Sequence, residues 1–239
     1  MLKLQNISWV LPSGEEILRD VSLTVQKGKL TVVTGPNGGG KTSLAKIIAG
    51  LEKPTSGRIF LDGEDITDLD TTMRAQRGIS YAFQQPVRFK GLSVRDLLEL
   101  SAGGKLKESD YCELLGSVGL CTHDYIDREV NASLSGGEIK RIEIATVLAR
   151  NTRLSVFDEP EAGIDLWSFS GLIDAFQKQK QSGERSMLII SHQERILQIA
   201  DEIIVIADGK VRTTGSRDLV LPSLLEGEKA NQCPLGREV

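Results

Sequence analysis

Cysteine is scarce in this chain, and its scarcity excludes two classes of protein. Three cysteines among 239 residues are too few to build a disulfide scaffold. Cys112, Cys121 and Cys233 also lack the C-x-x-C spacing that is typical of zinc and iron–sulfur sites. The sequence therefore predicts structural or incidental thiols in a reducing, cytoplasmic compartment.

Long apolar runs are missing as well. Those at residues 187–190 and 203–207 are far shorter than the roughly 20 residues that a membrane-spanning helix needs. The opening residues, MLKLQN, turn polar too early for the apolar core of a secretory signal. We therefore expect no direct insertion of this chain into a membrane.

The chain has no excess of positive charge. Its 29 Lys and Arg residues and 33 Asp and Glu residues give a formal net charge of -4. This balance predicts no nucleic-acid partner. With 40% hydrophobic and 26% charged residues, the composition is that of an ordinary globular protein.

Hydrophobic patterning predicts an α/β fold. Alternating residues predict two strands on either side of a turn at residues 12–14, and a hairpin turns at Asp208-Gly209. Short apolar runs predict further strands at residues 30–34, 58–61, 79–83, 154–157 and 187–190. Helical spacing is present at residues 42–49, 94–100, 109–118 and 168–181.

The same patterning predicts the domain organisation. We expect one domain over residues 1–225, with a helical subdomain inserted at about 87–150. Residues 226–239 are polar, contain Gly and Pro, and predict a frayed tail.

A glycine-rich segment predicts a phosphate-binding loop. Residues 35–43 read GPNGGGKTS, which fits G-x-x-x-x-G-K-[ST] between a predicted strand and a predicted helix. Glycines let backbone N–H groups approach a phosphate, Lys41 would reach the β- and γ-phosphates, and Thr42 would ligate Mg²⁺. The predicted ATP-binding residues of this phosphate loop are Gly35, Pro36, Asn37, Gly38, Gly39, Gly40, Lys41, Thr42 and Ser43.

An acidic pair ends a predicted central strand. Asp158 and Glu159 directly follow the apolar residues 154–157. Such a strand places a carboxylate rigidly beside the phosphate loop, so Asp158 is predicted to act on Mg²⁺. Glu159 is predicted to orient or deprotonate the attacking water.

A second glycine-rich helix start lies at residues 134–138, LSGGE, which we call the signature segment. Two explanations stand open for it. Ser135 and Glu138 have the spacing of a capping box. Alternatively, with a phosphate loop in the same chain, the segment indicates one ATP bound between two subunits.

Together these motifs resemble the ATP-binding cassette (ABC) ATPases. Gln84 resembles the glutamine that ligates Mg²⁺, VFDEP at 156–160 is similar to the Walker B strand, and His192 resembles the switch histidine. The resemblance implies a P-loop NTPase core with a mixed sheet, an N-terminal antiparallel β region and an α-helical subdomain. It also implies Mg²⁺-dependent ATP hydrolysis in a head-to-tail dimer, with Glu159, His192, Lys41 and Gln84 as catalytic residues.

In that resemblance Ser135 and Gly137 act across the dimer, and Asp165 corresponds to the D-loop aspartate. The nucleotide-binding residues that it implies beyond the phosphate loop are Ser135, Gly136, Gly137 and Asp165. The chain departs from the family pattern at Ala162, where serine is usual, and at Leu11, where an aromatic residue usually stacks on adenine. Trp9 lies two residues away and either packs in the core, which is favoured, or stacks on the base.

Several short strings resemble the SufC ATPases of iron–sulfur cluster assembly. They are AFQQPV at 82–87, SGGEIKRIEI at 135–144, the acid Glu161, and SHQERIL at 191–197. On this resemblance the expected partner is a SufB-like scaffold, with the importer ATPase bound to a separate membrane permease as the alternative. Because the insertion is short, the resemblance also implies a reduced or divergent system.

Overall fold

A computed structural model describes residues 1–131 and 133–231 and places the strands in two sheets. The N-terminal sheet has the order β2-β1-β4-β5, and its neighbouring strands run antiparallel. The strands are β1 Leu2–Val10, β2 Glu16–Val25, β3 Leu30–Thr34, β4 Ser56–Leu61, β5 Glu64–Asp65, β6 Ile79–Ala82, β7 Leu154–Asp158, β8 Ser186–Ile190, β9 Glu202–Ala207 and β10 Lys210–Ser216.

The larger sheet has the order β10-β9-β3-β8-β7-β6. Neighbouring strands from β9 to β6 run parallel, and β10 is antiparallel to β9 across the predicted Asp208-Gly209 turn. The carboxyl ends of β3, β8, β7 and β6 therefore lie side by side along one edge. Ligands of open α/β sheets bind beyond such ends.

Helices cover both faces of the larger sheet. They are α1 Lys41–Ala49, α2 Thr71–Gln76, α3 Val94–Ala102, α4 Glu108–Ser117, α5 Thr122–Tyr125, α6 Gly136–Ala149, α7 Leu166–Gln181, α8 Glu194–Ile199 and α9 Arg217–Asn231. This is the predicted α/β architecture, with a mixed sheet, flanking helices, an N-terminal antiparallel sheet and a helical region.

Each central strand contributes to two hydrophobic cores, because successive side chains point to opposite faces. In β8, Met187 and Ile189 pack in one core with helices α3, α4, α6 and α7. Leu188 and Ile190 pack in the other, with α1 and the N-terminal sheet. All of these side chains are buried, so the position of the β8 end is held from both sides.

The structure contains elements that the patterning does not predict. Helices α2, α5 and α8 and strand β5 were missed, since each has at most six residues and shows too little periodicity. Helix α9 continues to Asn231, across the boundary predicted at residue 225, while residues 232–239 lie outside the described part. Residues 87–150 hold α3 to α6, and their status as a subdomain stays a prediction.

None of the helices in the described ranges combines the length and apolar composition needed to cross a bilayer.

Candidate functional site

The predicted catalytic and phosphate-binding residues meet along one edge of the larger sheet, at the carboxyl ends of β3, β8, β7 and β6. We call it the catalytic edge. The phosphate loop follows β3, His192 lies two residues after β8, and Asp158 ends β7. Gln84 lies two residues after β6. Because these four strands are neighbours in the sheet, residues from 35 to 192 come together there.

The phosphate loop requires glycine because other backbone lies against it. A Cβ at Gly35, where φ is 131°, would lie 2.0 Å from the Ile206 carbonyl oxygen. A Cβ at Gly40, where φ is 96°, would lie 3.0 Å from the Ile17 carbonyl oxygen, and the left-handed φ itself disfavours a side chain there. Both positions therefore need a residue without a side chain, which also leaves the loop's N–H groups accessible to a phosphate.

Lys41 is the first residue of helix α1 and is buried to 6% exposure. Its ammonium donates to the carbonyl oxygens of Gly35, at 2.7 Å, and Pro36, at 2.8 Å. Burial lowers the pKa of Lys41, while the charges of Glu159 and Asp158 oppose the shift. The cation is thus folded back over its own loop at the start of the helix, where phosphate groups bind.

Thr42 and Asp158 bring two oxygen ligands together. The Thr42 hydroxyl donates to Asp158 Oδ1 at 3.2 Å, and the Tyr81 hydroxyl donates to Oδ2 at 3.0 Å. Asp158 is fully buried, and this burial raises its pKa although both hydroxyls oppose the shift. Burial and the charge of Asp158 also raise the pKa of Tyr81.

The donor set fits Mg²⁺ bound together with a nucleotide. Within residues 1–131 and 133–231, no group of three His, Cys, Asp or Glu side chains could hold a metal ion alone. Mg²⁺ usually takes only one or two carboxylates and completes its octahedron with phosphate oxygens and water. The pair formed by Thr42 and Asp158, beside the phosphate loop, matches that requirement.

Glu159 is held in an unusual backbone conformation next to Gln84. Its φ is 46°, which a non-glycine residue adopts only when its surroundings impose it. Its N–H donates to the Ile190 carbonyl at 2.9 Å, so the neighbouring strand fixes the turn. The Gln84 side-chain amide donates to Glu159 Oε2 at 2.8 Å, which brings these two predicted catalytic residues into contact.

His192 is exposed, and hydrogen bonds hold the residues on either side of it. The hydroxyl of Ser191, which is fully buried, donates to Glu161 Oε1 at 2.6 Å and accepts from the Gln193 N–H at 3.0 Å. Burial raises the pKa of Glu161, and the Ser191 hydrogen bond opposes the shift. Glu161 therefore fixes the loop that carries His192.

The signature segment forms the capping box that its sequence predicts. The N–H of Glu138 donates to the Ser135 hydroxyl at 3.2 Å, and the N–H of Ser135 donates to Glu138 Oε2 at 2.7 Å. Ser135 and Gly136 are exposed. In the described ranges, no hydrogen bond or ion pair joins residues 134–138 to the phosphate loop.

The signature segment instead touches the loop before α7. A Cβ at Gly137 would lie 2.5 Å from the Gly163 carbonyl oxygen. Asp165, two residues further on, caps α7 by accepting from the N–H groups of Trp167 and Ser168. The residues predicted to act across a dimer thus form a second cluster within the chain, apart from the catalytic edge.

Sequence reasoning missed four residues that support the site. They are Tyr81, which contacts Asp158, Ser191, which contacts Glu161, and the buried Lys140 and partly buried Glu143, which contact the backbone of Phe83 next to Gln84. None of them belongs to a motif with its own chemistry, although Lys140, Glu143 and Ser191 lie in strings that resemble SufC. The available signal was a Lys and a Glu three residues apart on the helix face that also carries Ile144 and Val147, because charges on an apolar face are rarely buried without partners.

The remaining candidates have simpler positions. Cys112 and Cys121 are exposed free thiols, and Cys233 lies outside the described residues. Trp9 is half-buried against the core beside α1, as core packing predicts.

Comparison with known proteins gives consistent matches. A family model described as ABC transporter matches residues 18–162, which is more than half of the chain. An uncharacterised ABC transporter ATP-binding protein of Methanocaldococcus jannaschii is 39% identical over 223 residues, covering 90% of this chain and 88% of the relative. The probable ATP-dependent transporter ycf16 of Cyanidium caldarium is 33% identical and covers 96% and 95% of the two chains.

A solved structure matches as well. It is the dimeric, post-hydrolysis state of an ATP-binding cassette bound to ADP and Pi. It superimposes with a TM-score of 0.82 at 25% identity, over 91% of this chain and 99% of that one.

Proposed function

We propose that this chain, which belongs to the ABC transporter family, is the ATP-hydrolysing subunit of a transporter and works as a head-to-tail dimer with a separate membrane permease. Its enzymatic activity is the hydrolysis of ATP to ADP and phosphate. One observation carries the proposal: the phosphate loop, Asp158, Glu159, Gln84 and His192 converge at four neighbouring strand ends.

The geometry suggests a role for each residue. The N–H groups of the phosphate loop and Lys41 bind the β- and γ-phosphates. Glu159 polarises the attacking water, and Gln84, 2.8 Å away, aligns its carboxylate. His192 and Lys41 stabilise the charge that develops on the γ-phosphate.

Mg²⁺ bound with the nucleotide would neutralise charge on the phosphate oxygens. Thr42, Asp158 and the Gln84 amide oxygen are the groups that would hold it.

The second cluster supports a dimeric arrangement. Ser135, Gly136 and Gly137 start helix α6, whose free N–H groups and dipole suit an anion. This helix end is exposed and is not bonded to the phosphate loop of its own chain, as the previous section describes. We propose that it binds the γ-phosphate held by the partner subunit, with Asp165 beside it, and that the related cassette's dimer is the model for the assembly.

The proposed partner is a permease because the relatives are named as transporter proteins. Their names describe an ABC transporter ATP-binding protein and an ATP-dependent transporter. This would place the chain in the cytoplasm, at the membrane surface. Closure of the dimer would move the Gln84 region and pull on the permease.

A SufB-like scaffold remains a second candidate for the partner. The observation that favours it is that charged residues in the strings that resemble SufC make contacts next to the catalytic residues. Lys140, Glu143 and Glu161 are not surface charges but form contacts directly beneath the catalytic edge. Relatives named as transporters nevertheless favour the permease.

The substitution Glu159→Gln tests the proposed chemistry. Because an amide cannot act as a base, we expect steady-state ATP hydrolysis to fall by at least about 100-fold. The variant should still bind ATP, and its ATP-bound form should accumulate as a stable dimer. Phosphate release measures the first effect and light scattering during size-exclusion chromatography measures the second.

Glu184→Gln is the matched control, because it makes the same change on an exposed loop. It should leave both measurements at the wild-type level. If the Glu159 variant hydrolyses ATP at the wild-type rate, Glu159 is not the general base. If it stays monomeric with saturating ATP, the dimer proposal is wrong.

A further inference from the structure

Lys140 is a buried cation that the proposed chemistry does not use. It is 1% exposed and lies on α6, four residues after Gly136. Its ammonium donates to the carbonyl oxygen of Phe83, and to those of Gln84 at 3.4 Å and Asp158 at 3.3 Å. Phe83 and Gln84 directly follow β6 and Asp158 ends β7, so one side chain joins the ends of both strands to α6.

Glu143 completes this arrangement from the next turn of the same helix. Its Oε1 accepts from the Phe83 N–H at 3.0 Å, and its Oε2 lies 3.7 Å from the Lys140 ammonium. Oε2 is buried, and no donor among the described residues hydrogen-bonds to it. The N–H and the carbonyl group of Phe83 are therefore both held by α6, one by each member of the pair.

These contacts matter because burying two charges is expensive. Burial lowers the pKa of Lys140, and burial raises the pKa of Glu143 to about 7. An apolar pair of similar volume often serves packing as well or better. What an apolar pair cannot do is hold the backbone at the point where the chain leaves β6 for Gln84.

Arg74 is a second buried cation that binds backbone carbonyl groups, and it provides a comparison for Lys140. It is also 1% exposed, and it donates to the carbonyl oxygens of Leu69, Ile48 and Thr67. Those carbonyl groups belong to α1 and to the segment before α2, not to the loops of the catalytic edge. Arg74 is thus a buried carbonyl-binding cation away from Gln84.

We propose that Lys140 and Glu143 are positioning residues of the ATPase: they clamp the backbone at Phe83 and Gln84 to α6, and so keep the Gln84 side chain at Glu159. The inference rests on the proposed function, since it assigns the clamp to that reaction. It adds a physical link, because α6 begins at the signature segment. A displacement of α6 by the partner subunit's nucleotide would move the Gln84 backbone with it.

Two measurements on the full-length chain test the clamp. The first is hydrogen–deuterium exchange of residues 83–89 without nucleotide. In Lys140→Met and in Glu143→Leu, the Phe83 amide hydrogen should exchange at least about tenfold faster than in the wild type. Each variant loses one of the two hydrogen bonds that hold the Phe83 backbone to α6. Glu143→Gln retains an acceptor for this N–H and should restore most of the protection.

The second measurement is the steady-state kinetics of ATP hydrolysis. Lys140→Met should lower kcat about tenfold or more while KM for ATP stays within about threefold, because the phosphate loop is untouched. In a Gln84→Ala background, Lys140→Met should change kcat by less than about twofold, since its effect passes through Gln84.

Arg74→Met is the matched control, with Arg74→Lys as the substitute if it does not fold. It should lower thermal stability without changing exchange at residues 83–89 or kcat. Unchanged Phe83 exchange in Lys140→Met, or a full additional loss of kcat in the Gln84→Ala background, would overturn the clamp. Retained hydrolysis by Glu159→Gln would instead overturn the proposed function and leave the exchange result standing.

Discussion

Gly137 brings two loops into contact because it has no side chain. A Cβ at this position would lie 2.5 Å from the Gly163 carbonyl oxygen, whereas a Cβ at Gly136 would meet nothing within 4 Å. The two glycines are adjacent in the same first turn of α6, so they share the same helical environment. Only one of them is required by packing.

Gly137→Ala should therefore destabilise the protein, while Gly136→Ala should not. The added methyl group must push Gly163 away, and such overpacking typically costs about 1–3 kcal/mol. Gly136→Ala should leave stability unchanged or raise it slightly, since alanine is the better helix former. Urea denaturation of both variants measures the difference, and equal midpoints would show that the contact with Gly163 is not tight.

Helix α6 is the element that connects the two clusters of functional residues. Its capping box orders the signature segment, and its next turns carry Lys140 and Glu143. Glu138 within the box has its pKa lowered to about 2, because the Tyr125 hydroxyl and the Ser135 N–H donate to its carboxylate. The negative charge of Glu138 is thus part of what holds this helix end.

Replacing Glu138 by Gln should cost stability in a pH-dependent way. A lowered folded-state pKa contributes stability above the unfolded-state value near 4.5, and this contribution disappears as the pH falls towards 2. At pH 7 the free energy of unfolding of the wild type should exceed that of Glu138→Gln by about 1 kcal/mol. The two free energies should converge between about pH 5 and pH 2.

Denaturant titrations at several pH values measure that convergence. Tyr125→Phe removes one donor and should move the convergence to higher pH. A stability difference that is constant from pH 7 to pH 3 would show that the carboxylate charge does not stabilise the helix end.

At the scale of the whole molecule, the proposed nucleotide site needs two copies of the chain, and the proposed transport function needs a further protein. The catalytic edge and the signature segment lie in separate clusters of the described chain, and the related cassette is a dimer. The identity of the further protein decides between a transporter and an assembly machine. Only the isolated complex, and not the chain alone, reveals that identity.

We expect tagged Glu159→Gln chain, isolated from native cells with ATP, to retain an integral-membrane permease from the detergent-solubilised membrane fraction. The ATP-bound dimer should hold its partner longest, because hydrolysis no longer releases it. Mass spectrometry of the membrane and soluble fractions identifies the partner, with Lys41→Ala as the control that cannot form the ATP-bound state. A soluble SufB-like scaffold without a permease would contradict the permease and support the second candidate.

The motifs were enough to locate much of the candidate site. The phosphate loop, Asp158 and Glu159 were placed by residue types next to strand and helix patterns, and His192 by the family resemblance; the strands that precede them were found as predicted. Short helices such as α2 and α8 were missed because six residues carry too little periodicity. The SufC-type partner was inferred from short strings, which indicate a subgroup only weakly, and the comparisons support a transporter family instead.

The sequence by itself determined the chemistry: which loop suits phosphate, which strand ends in carboxylates, and that the fold is α/β. These follow from local residue types and spacing, which need no partner elsewhere in the chain. Only the tertiary structure decided that Gln84 meets Glu159, that Tyr81 and Thr42 share Asp158, and that Lys140 joins two strand ends to α6. Each of these contacts depends on strand order and on burial, and neither is encoded by the spacing of residues along the chain.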